Sequence, residues 1–116
     1  MRLEGLELAR RAVDAASDRQ AVDIVLLDVR GMCGFADFFV ICAGESDRQL
    51  NAIEDAIEKT LKSEGAAPGS REGSSDSGWV LLDYGDVIIH IFSAEERAFY
   101  NLDDFWRNAK TVISIQ

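Results

Sequence analysis

The stretch WVLLDYGDVIIHIF, Trp79–Phe92, consists of two short apolar runs on either side of Gly85-Asp86. A glycine at the first of two turn positions is typical of a tight β-hairpin. With this two-residue turn, Tyr84 faces Val87, and one side of the hairpin is apolar throughout. That side is predicted to face the core of the protein.

The opposite side of the hairpin has a mixed composition. It carries Trp79, Leu81, Asp83, Ile88, His90 and Phe92. An aromatic residue beside a carboxylate and an imidazole is typical of a binding surface, since interface hot spots favour Trp and Tyr. The alternative is that helices cover both sides and that His90 only satisfies a buried hydrogen bond. A three-residue turn would move His90 to the opposite side from Trp79.

The segments before the hairpin predict one helix and two buried strands. Apolar residues at helical spacing mark one face of the first helix: Leu3, Leu6, Ala9, Val13 and Ala16. The runs IVLLDV (24–29) and FFVICAG (38–44) are typical of buried strands. Because the link between them is too short for a crossover helix, they should be antiparallel neighbours.

A second helix is predicted from the capping box of Ser46 and Gln49 to about Ser63, with Gly65 as its C-terminal cap. A Gly- and Ser-rich loop follows, with a short edge strand around Arg71. The helix and loop together are long enough for a right-handed crossover to a parallel third strand, residues 79–84.

After the hairpin, Ser93 and Glu96 form a second capping box that opens a short helix through Tyr100. NLDDFW is predicted to be a capped turn with Phe105 and Trp106 as anchors, and TVISIQ to form a short strand or fray. The predicted fold class is α/β, of the α+β mixed-sheet kind, in the order α-β-β-α-β-β-α. A mixed sheet of four to five strands, flanked by helices, forms a single domain over residues 1–116.

Charge and cysteine content narrow the class of partner. The 116 residues carry a net charge of −9, which repels phosphate backbones and suits a basic protein. Cys42 lies in an apolar run and should be buried, whereas Cys33 in a Gly-rich turn should be partly exposed. Two thiols without an export signal, and no apolar run of 18 residues, predict a cytoplasmic protein.

The catalytic and metal-binding interpretations have few residues to support them. One histidine and two cysteines nine positions apart do not make a zinc site, and no G-x-S-x-G motif accompanies His90. Asp83 and Asp86 resemble a carboxylate pair for magnesium, but a hairpin turn also explains them. Asp28 and Asp37, at neighbouring strand ends, could likewise be a carboxylate pair that serves chemistry or could simply cap turns. We therefore predict no catalytic residue, no metal and no cofactor.

Four segments resemble the ribosomal silencing factors, also called the Iojap-like proteins. They are DIVLLDVRG, ADFFVICAGESDRQ, WVLLDYGDVIIHIF and EERAFYNLDDFW, which span about residues 23–106 in that order. The resemblance implies a nucleotidyltransferase-like fold without catalysis. It also implies a factor that binds the fourteenth protein of the large ribosomal subunit, blocks joining of the small subunit and represses translation under nutrient limitation. Members of the family often form homodimers.

The resemblance also implies which residues meet the partner. The docking role falls on Trp79, Leu81, Asp83, Tyr84, Asp86 and His90. The aromatic residues would anchor the contact and the aspartates would pair with Lys or Arg. If Tyr84 points into the core, its hydroxyl could still emerge at the sheet edge. The competing hypothesis is a degenerate nucleotidyltransferase that binds nucleotide and magnesium near Gly44, Ser46 and Asp83.

Overall fold

A computed structural model describes residues 5–116, so the predicted helical residue Leu3 lies outside the described part. The described elements are α1 (Gly5–Asp18), β1 (Val22–Asp28), β2 (Phe38–Gly44), α2 (Asp47–Ser63), β3 (Ser70–Ser74), β4 (Trp79–Asp83), β5 (Val87–Ser93), α3 (Ala94–Tyr100), α4 (Leu102–Phe105) and β6 (Lys110–Ile115), with a 3-10 turn at Ser75–Ser77. This order confirms the predicted mixed α/β class. The sheet has six strands rather than four to five.

The six strands lie in the order β3-β4-β5-β2-β1-β6. β1 and β2 are antiparallel neighbours, as predicted. β2 and β5 form the parallel pair at the centre, in which Phe38 is opposite Val87 and Gly44 is opposite Ser93. All seven residues of β2 are buried, because this strand has neighbours on both edges and apolar layers on both faces.

The prediction that β4 runs parallel to β2 is wrong. β4 is antiparallel to β5, and β5 is parallel to β2, so β4 and β2 point in opposite directions. The crossover through α2 leads instead to β3, an edge strand that is antiparallel to β4. Because the chain reverses once more between β3 and β4, β4 runs antiparallel to β2.

Capping residues determine where helix α2 begins and ends. The Ser46 hydroxyl accepts a hydrogen bond from the Gln49 amide at 3.1 Å. The Gln49 side chain accepts from Glu45, one residue before the predicted partner, and donates to the carbonyls of Arg19 and Gln20. Gly65 adopts a left-handed φ of 88° after the last turn, as its capping role requires.

Two apolar layers lie on opposite faces of the sheet. Helices α1 and α2 cover one face, where they pack on Val80, Leu82, Val87, Ile89 and Ile91 of the hairpin. The other face has a smaller cluster built on Phe39, Ile41, Ile88 and Phe92. Within residues 5–116, the two short helices α3 and α4 and the turn at 30–37 flank this second face, and part of it remains open.

An ion pair between α2 and β3 holds the edge strand against its helix. Glu54 is buried, with 6% of its surface exposed, and its carboxylate accepts two hydrogen bonds from the Arg71 guanidinium. This arginine keeps the pKa of Glu54 below its usual range. Glu58, one turn further along α2, has a buried carboxylate oxygen without a hydrogen-bond partner. Burial, followed by the hydrogen bond and charge of Glu54, raises the pKa of Glu58 to about 7.

Candidate functional site

The hairpin has the predicted two-residue turn. Leu82 is opposite Ile89 in the ladder, and the Tyr84 amide donates to the Val87 carbonyl at 2.9 Å. This register places Trp79, Leu81, Asp83 and His90 on the same side, which is the open face of the sheet. We call the open face around these residues the aromatic face.

Trp79 and His90 form one unit at the centre of the aromatic face. The indole Nε1 of Trp79 donates a hydrogen bond of 3.2 Å to Nδ1 of His90. His90 is 6% exposed, and burial lowers its pKa to about 4, so the imidazole is neutral at pH 7. This geometry bears out the interpretation of His90 as a buried, hydrogen-bonded residue. Trp79 itself is half-buried.

The two hairpin aspartates have separate positions. Asp83 is partly exposed on the aromatic face, and its Oδ1 accepts a hydrogen bond of 2.8 Å from the Gly85 amide. Asp86 is exposed in the turn itself, where its backbone carbonyl accepts from the amides of Asp37 and Phe38. The turn therefore accounts for both residues, and each carboxylate retains an oxygen for a basic partner.

Tyr84 lies on the other side of the hairpin, where it packs against the helix-covered core. Its hydroxyl is buried and has no hydrogen-bond partner among residues 5–116, so the prediction that it emerges at the sheet edge is wrong. Burial, helped by the negative charge of Glu58, raises the pKa of Tyr84 to about 12. The side-chain alternation of the strand explains this position, because Tyr84 is one residue away from Asp83.

The aromatic face continues onto α3 and α4, which sequence reasoning missed. We call residues 94–106 the arm. It carries Phe99, Tyr100 and Phe105, whose exposed fractions are 76%, 44% and 74%. The Tyr100 ring lies 4.5 Å from the Trp79 ring, measured between centroids. Phe105 was predicted as an anchor but points outward, because Trp106 occupies the contact with Phe39, at 5.2 Å.

Two adjacent cavities lie on the aromatic face, and Trp79 and Leu81 line both of them. One, of about 340 Å³, is bounded by Phe35, Phe39 and Trp106. The other, of about 250 Å³, is bounded by Tyr100 and Glu96. Glu72 of β3 borders both cavities, and Asp83 borders the first. Apolar hollows rimmed by carboxylates suit a partner that presents apolar side chains together with Lys or Arg.

The residues of the competing nucleotide-binding hypothesis are not brought together. Gly44 and Ser46 line a polar cavity of about 340 Å³ where β2 and β5 end. Asp83 is opposite Ile88, near the start of β5, so five residues of strand separate it from this cavity. That separation corresponds to about 17 Å. The carboxylates of Glu45, Asp47 and Asp76 also line the cavity and would repel phosphate.

The remaining sequence predictions concern chemistry and compartment. Asp28 caps its turn, because its carboxylate accepts three hydrogen bonds from Arg30. Cys42 is buried and Cys33 is partly exposed, as predicted. Across residues 5–116 no group of three His, Cys, Asp or Glu side chains could hold a metal ion. None of the helices in this range is long and apolar enough to cross a membrane.

Comparison with known proteins identifies the family. A family model described as "Ribosomal silencing factor during starvation" matches residues 3–116. "Ribosomal silencing factor RsfS" of Halalkalibacterium halodurans is 42% identical over 106 residues, which is 91% of each chain. "Protein Iojap, chloroplastic" of Zea mays is 38% identical over 112 residues, which is 94% of this chain and 47% of the maize protein.

Solved structures give the same result. A crystal structure of a Chromobacterium violaceum protein matches with a TM-score of 0.85 and 29% identity, covering 90% of this chain and 87% of that chain. A crystal structure of a Bacillus halodurans protein matches with a TM-score of 0.81 and 38% identity, covering 94% and 99%. The chain belongs to the ribosomal silencing factor, or Iojap-like, family.

Proposed function

We propose that this chain binds the large ribosomal subunit through its fourteenth protein and thereby blocks joining of the small subunit. Repression of translation under nutrient limitation follows from this block, which needs steric exclusion and no catalysis. The family membership and the names of the relatives, which are ribosomal silencing factors, support the proposal. We also propose a single functional domain over residues 1–116, with a cytoplasmic location and homodimer formation.

One structural observation carries the docking proposal: the half-buried Trp79, held by His90, lies against the exposed ring of Tyr100. The carboxylate-bearing residues Glu72, Glu96 and Asp83 line the cavities beside it. Aromatic side chains in such a setting contribute most of the binding energy at interfaces. The net charge of −9 and the carboxylate of Asp83 favour a basic ribosomal protein over bare ribosomal RNA. Trp79, Leu81, Asp83 and Asp86 would contact the partner directly.

The two buried members of the predicted set have an indirect role in this proposal. His90 fixes the orientation of the Trp79 indole through its hydrogen bond. Tyr84 packs behind the hairpin, on the helix-covered side. A substitution of either residue would therefore act through the shape of the hairpin.

The test is a subunit-joining experiment. Purified protein is mixed with isolated large subunits, small subunits are added, and association is followed by light scattering and gradient sedimentation. We expect the protein to sediment with large subunits and to lower the joined-ribosome signal with increasing dose. Trp79→Ala should weaken binding by at least a hundredfold, as expected for a central aromatic anchor.

A matched control is Ile115→Ala, which truncates a partly exposed apolar residue on the far edge strand β6. It should bind like the unmodified protein. The proposal fails if the unmodified protein neither sediments with large subunits nor reduces joining. The choice of surface fails if Trp79→Ala remains folded and binds normally.

A further inference from the structure

The arm is too short to keep its conformation by itself. Helix α3 has seven residues and α4 has four, and none of these residues is fully buried. Isolated helices of this length are not stable in water, so contacts with the rest of the protein must order them. The arm nevertheless supplies Tyr100, Leu102 and Trp106 to the aromatic face, and it exposes Phe99 and Phe105 to solvent.

Arg97 provides a contact that joins the arm to the sheet. Its guanidinium donates to both carboxylate oxygens of Asp103, from Nε at 3.2 Å and from Nη2 at 2.9 Å. Its Nη1 donates to the backbone carbonyl of Asp23, which is 74 positions earlier in the chain. One side chain therefore connects α3 with α4 and with β1.

The low exposure of the Arg97 side chain indicates that it contacts other residues of this protein and not a partner. Only 13% of its side-chain surface is exposed, compared with 69% for Arg107, the residue that follows the arm. A guanidinium with three hydrogen-bond acceptors has a fixed orientation and little surface for a partner to contact. An effect of Arg97 on docking would therefore have to pass through the position of the arm.

The backbone around Arg97 is left-handed at two places. Asp23 and Asn101 have φ values of 49° and 50°, in a region that Asp and Asn enter more readily than other residues with a side chain, and Asn101 is the C-terminal cap of α3. Both line the cavity that contains Arg97. Asp23 lies where the pairing of β1 with β2 shifts register, between Val22 and Val25.

We propose that Arg97 is a positioning residue of the docking surface: it fixes the arm against β1 so that Tyr100 and Phe99 meet the partner beside Trp79. This inference rests on the proposed function and assigns part of the docking affinity to a residue behind the surface. Asp103 is its ion-pair partner in this role, and Asp23 contributes its carbonyl oxygen.

The experiment compares Arg97→Met with Arg107→Met. Both remove one positive charge, Arg97→Met inside the arm and Arg107→Met at the residue directly after it, but the side-chain contacts of Arg107 within residues 5–116 are exposed ones with Asp104. Hydrogen exchange is followed by mass spectrometry on the free proteins, and large-subunit binding is measured by sedimentation. For Arg97→Met we expect exchange in residues 94–106 to be at least tenfold faster, with residues 38–44 unchanged. Large-subunit binding should be at least tenfold weaker, and Arg107→Met should match the unmodified protein in both.

Two further variants distinguish positioning from a general loss of structure. Asp103→Asn removes the ion pair without changing the size of the side chain, and it should reproduce part of the exchange and binding effects. Arg97→Lys keeps the charge and can reach one acceptor, so it should restore part of the binding. If Arg97→Met unfolds the protein, these two variants decide the question.

Three results would overturn the proposal. Unchanged exchange in residues 94–106 for Arg97→Met, or for Asp103→Asn where Arg97→Met does not fold, would mean that Arg97 does not order the arm. Weaker binding without faster exchange would mean that Arg97 contacts the partner directly. Faster exchange with normal binding would mean that the arm does not take part in docking. If the unmodified protein does not bind large subunits, the proposed function fails, whereas the exchange measurement still tests whether Arg97 orders the arm.

Discussion

Replacing Glu58 by glutamine should make the stability of the protein depend more steeply on pH. Two groups, the buried His90 and the partly buried Glu58, have pKa values shifted in opposite directions in the folded state. Burial lowers the pKa of His90 to about 4, whereas burial and the neighbouring Glu54 raise the pKa of Glu58 to about 7. In the unfolded chain both return to their ordinary values, 6.5 for histidine and 4.5 for glutamate.

The signs follow from the number of protons that each state binds. Between pH 4 and 6.5 the unfolded chain holds a proton on His90 that the folded protein does not. The contribution of His90 to stability is therefore fully present above pH 6.5 and is lost as pH falls through 4. Between pH 4.5 and 7 the folded protein holds a proton on Glu58 that the unfolded chain does not. The contribution of Glu58 to stability is therefore fully present below pH 4.5 and is lost as pH rises through 7. Between about pH 4.5 and 6.5 the two effects oppose each other.

The magnitude follows from about 1.4 kcal/mol for each pKa unit. From pH 4.5 to 6.5, His90 should raise the free energy of unfolding by about 2 kcal/mol. Glu58 is partly exposed, and solvent screening reduces its opposite effect to about 1 kcal/mol. The unmodified protein should therefore gain about 1 kcal/mol over this range, and Glu58→Gln about 2 kcal/mol.

Urea unfolding at pH 4.5, 5.5 and 6.5, followed by tryptophan fluorescence, measures this difference. The dependence on urea concentration must stay constant across pH for the comparison to hold. Glu7→Gln is the matched control, because Glu7 is exposed on α1, and it should retain the pH dependence of the unmodified protein. The reasoning is refuted if Glu58→Gln has the same or a shallower slope than the unmodified protein.

Three other substitutions test the packing described above, each by the midpoint of urea unfolding. Arg71→Met leaves the buried carboxylate of Glu54 unpaired and should cost about 2 kcal/mol, and an unchanged midpoint would contradict the ion pair. Gly44→Ala should cost about 1–3 kcal/mol, because the new methyl group would lie 2.8 Å from Leu50 Cδ1 unless the side chain moves. Ser46→Ala removes the N-terminal cap of α2 and should cost about 1 kcal/mol, and Ser46→Thr, which keeps the hydroxyl, should cost less.

The parts of the fold that are determined by residues close together in the sequence could be predicted from the sequence. The hairpin register follows from Gly85-Asp86 and from the alternation on either side, both of which are local. The ends of α2 follow from Ser46 and Gly65 for the same reason. The strand order could not be predicted in this way, because the polar β3, with the sequence SREGS, is held by pairing with β4 and by the distant Glu54.

The aromatic face was predictable from the sequence only where it lies on the hairpin. Trp79, Leu81, Asp83 and His90 share a face because side chains alternate along a strand. The contribution of the arm depends on how far α3 and α4 turn away from the sheet, which Arg97 and the backbone at Asn101 determine. Neighbouring aromatic residues on a short helix cannot all be buried, and this pattern at positions 99–100 was the available signal.

The central pairing of β2 with β5 has a consequence for the order in which the chain can fold. β2 is entirely apolar, and its parallel neighbour begins at Val87, 43 residues after the end of β2 at Gly44. During synthesis, one edge of this strand therefore stays unpaired until the hairpin has been made. An apolar strand with an open edge is prone to associate with other chains. The short, locally paired hairpin can form as soon as Phe92 emerges, and closing the sheet then removes the hazard in one step.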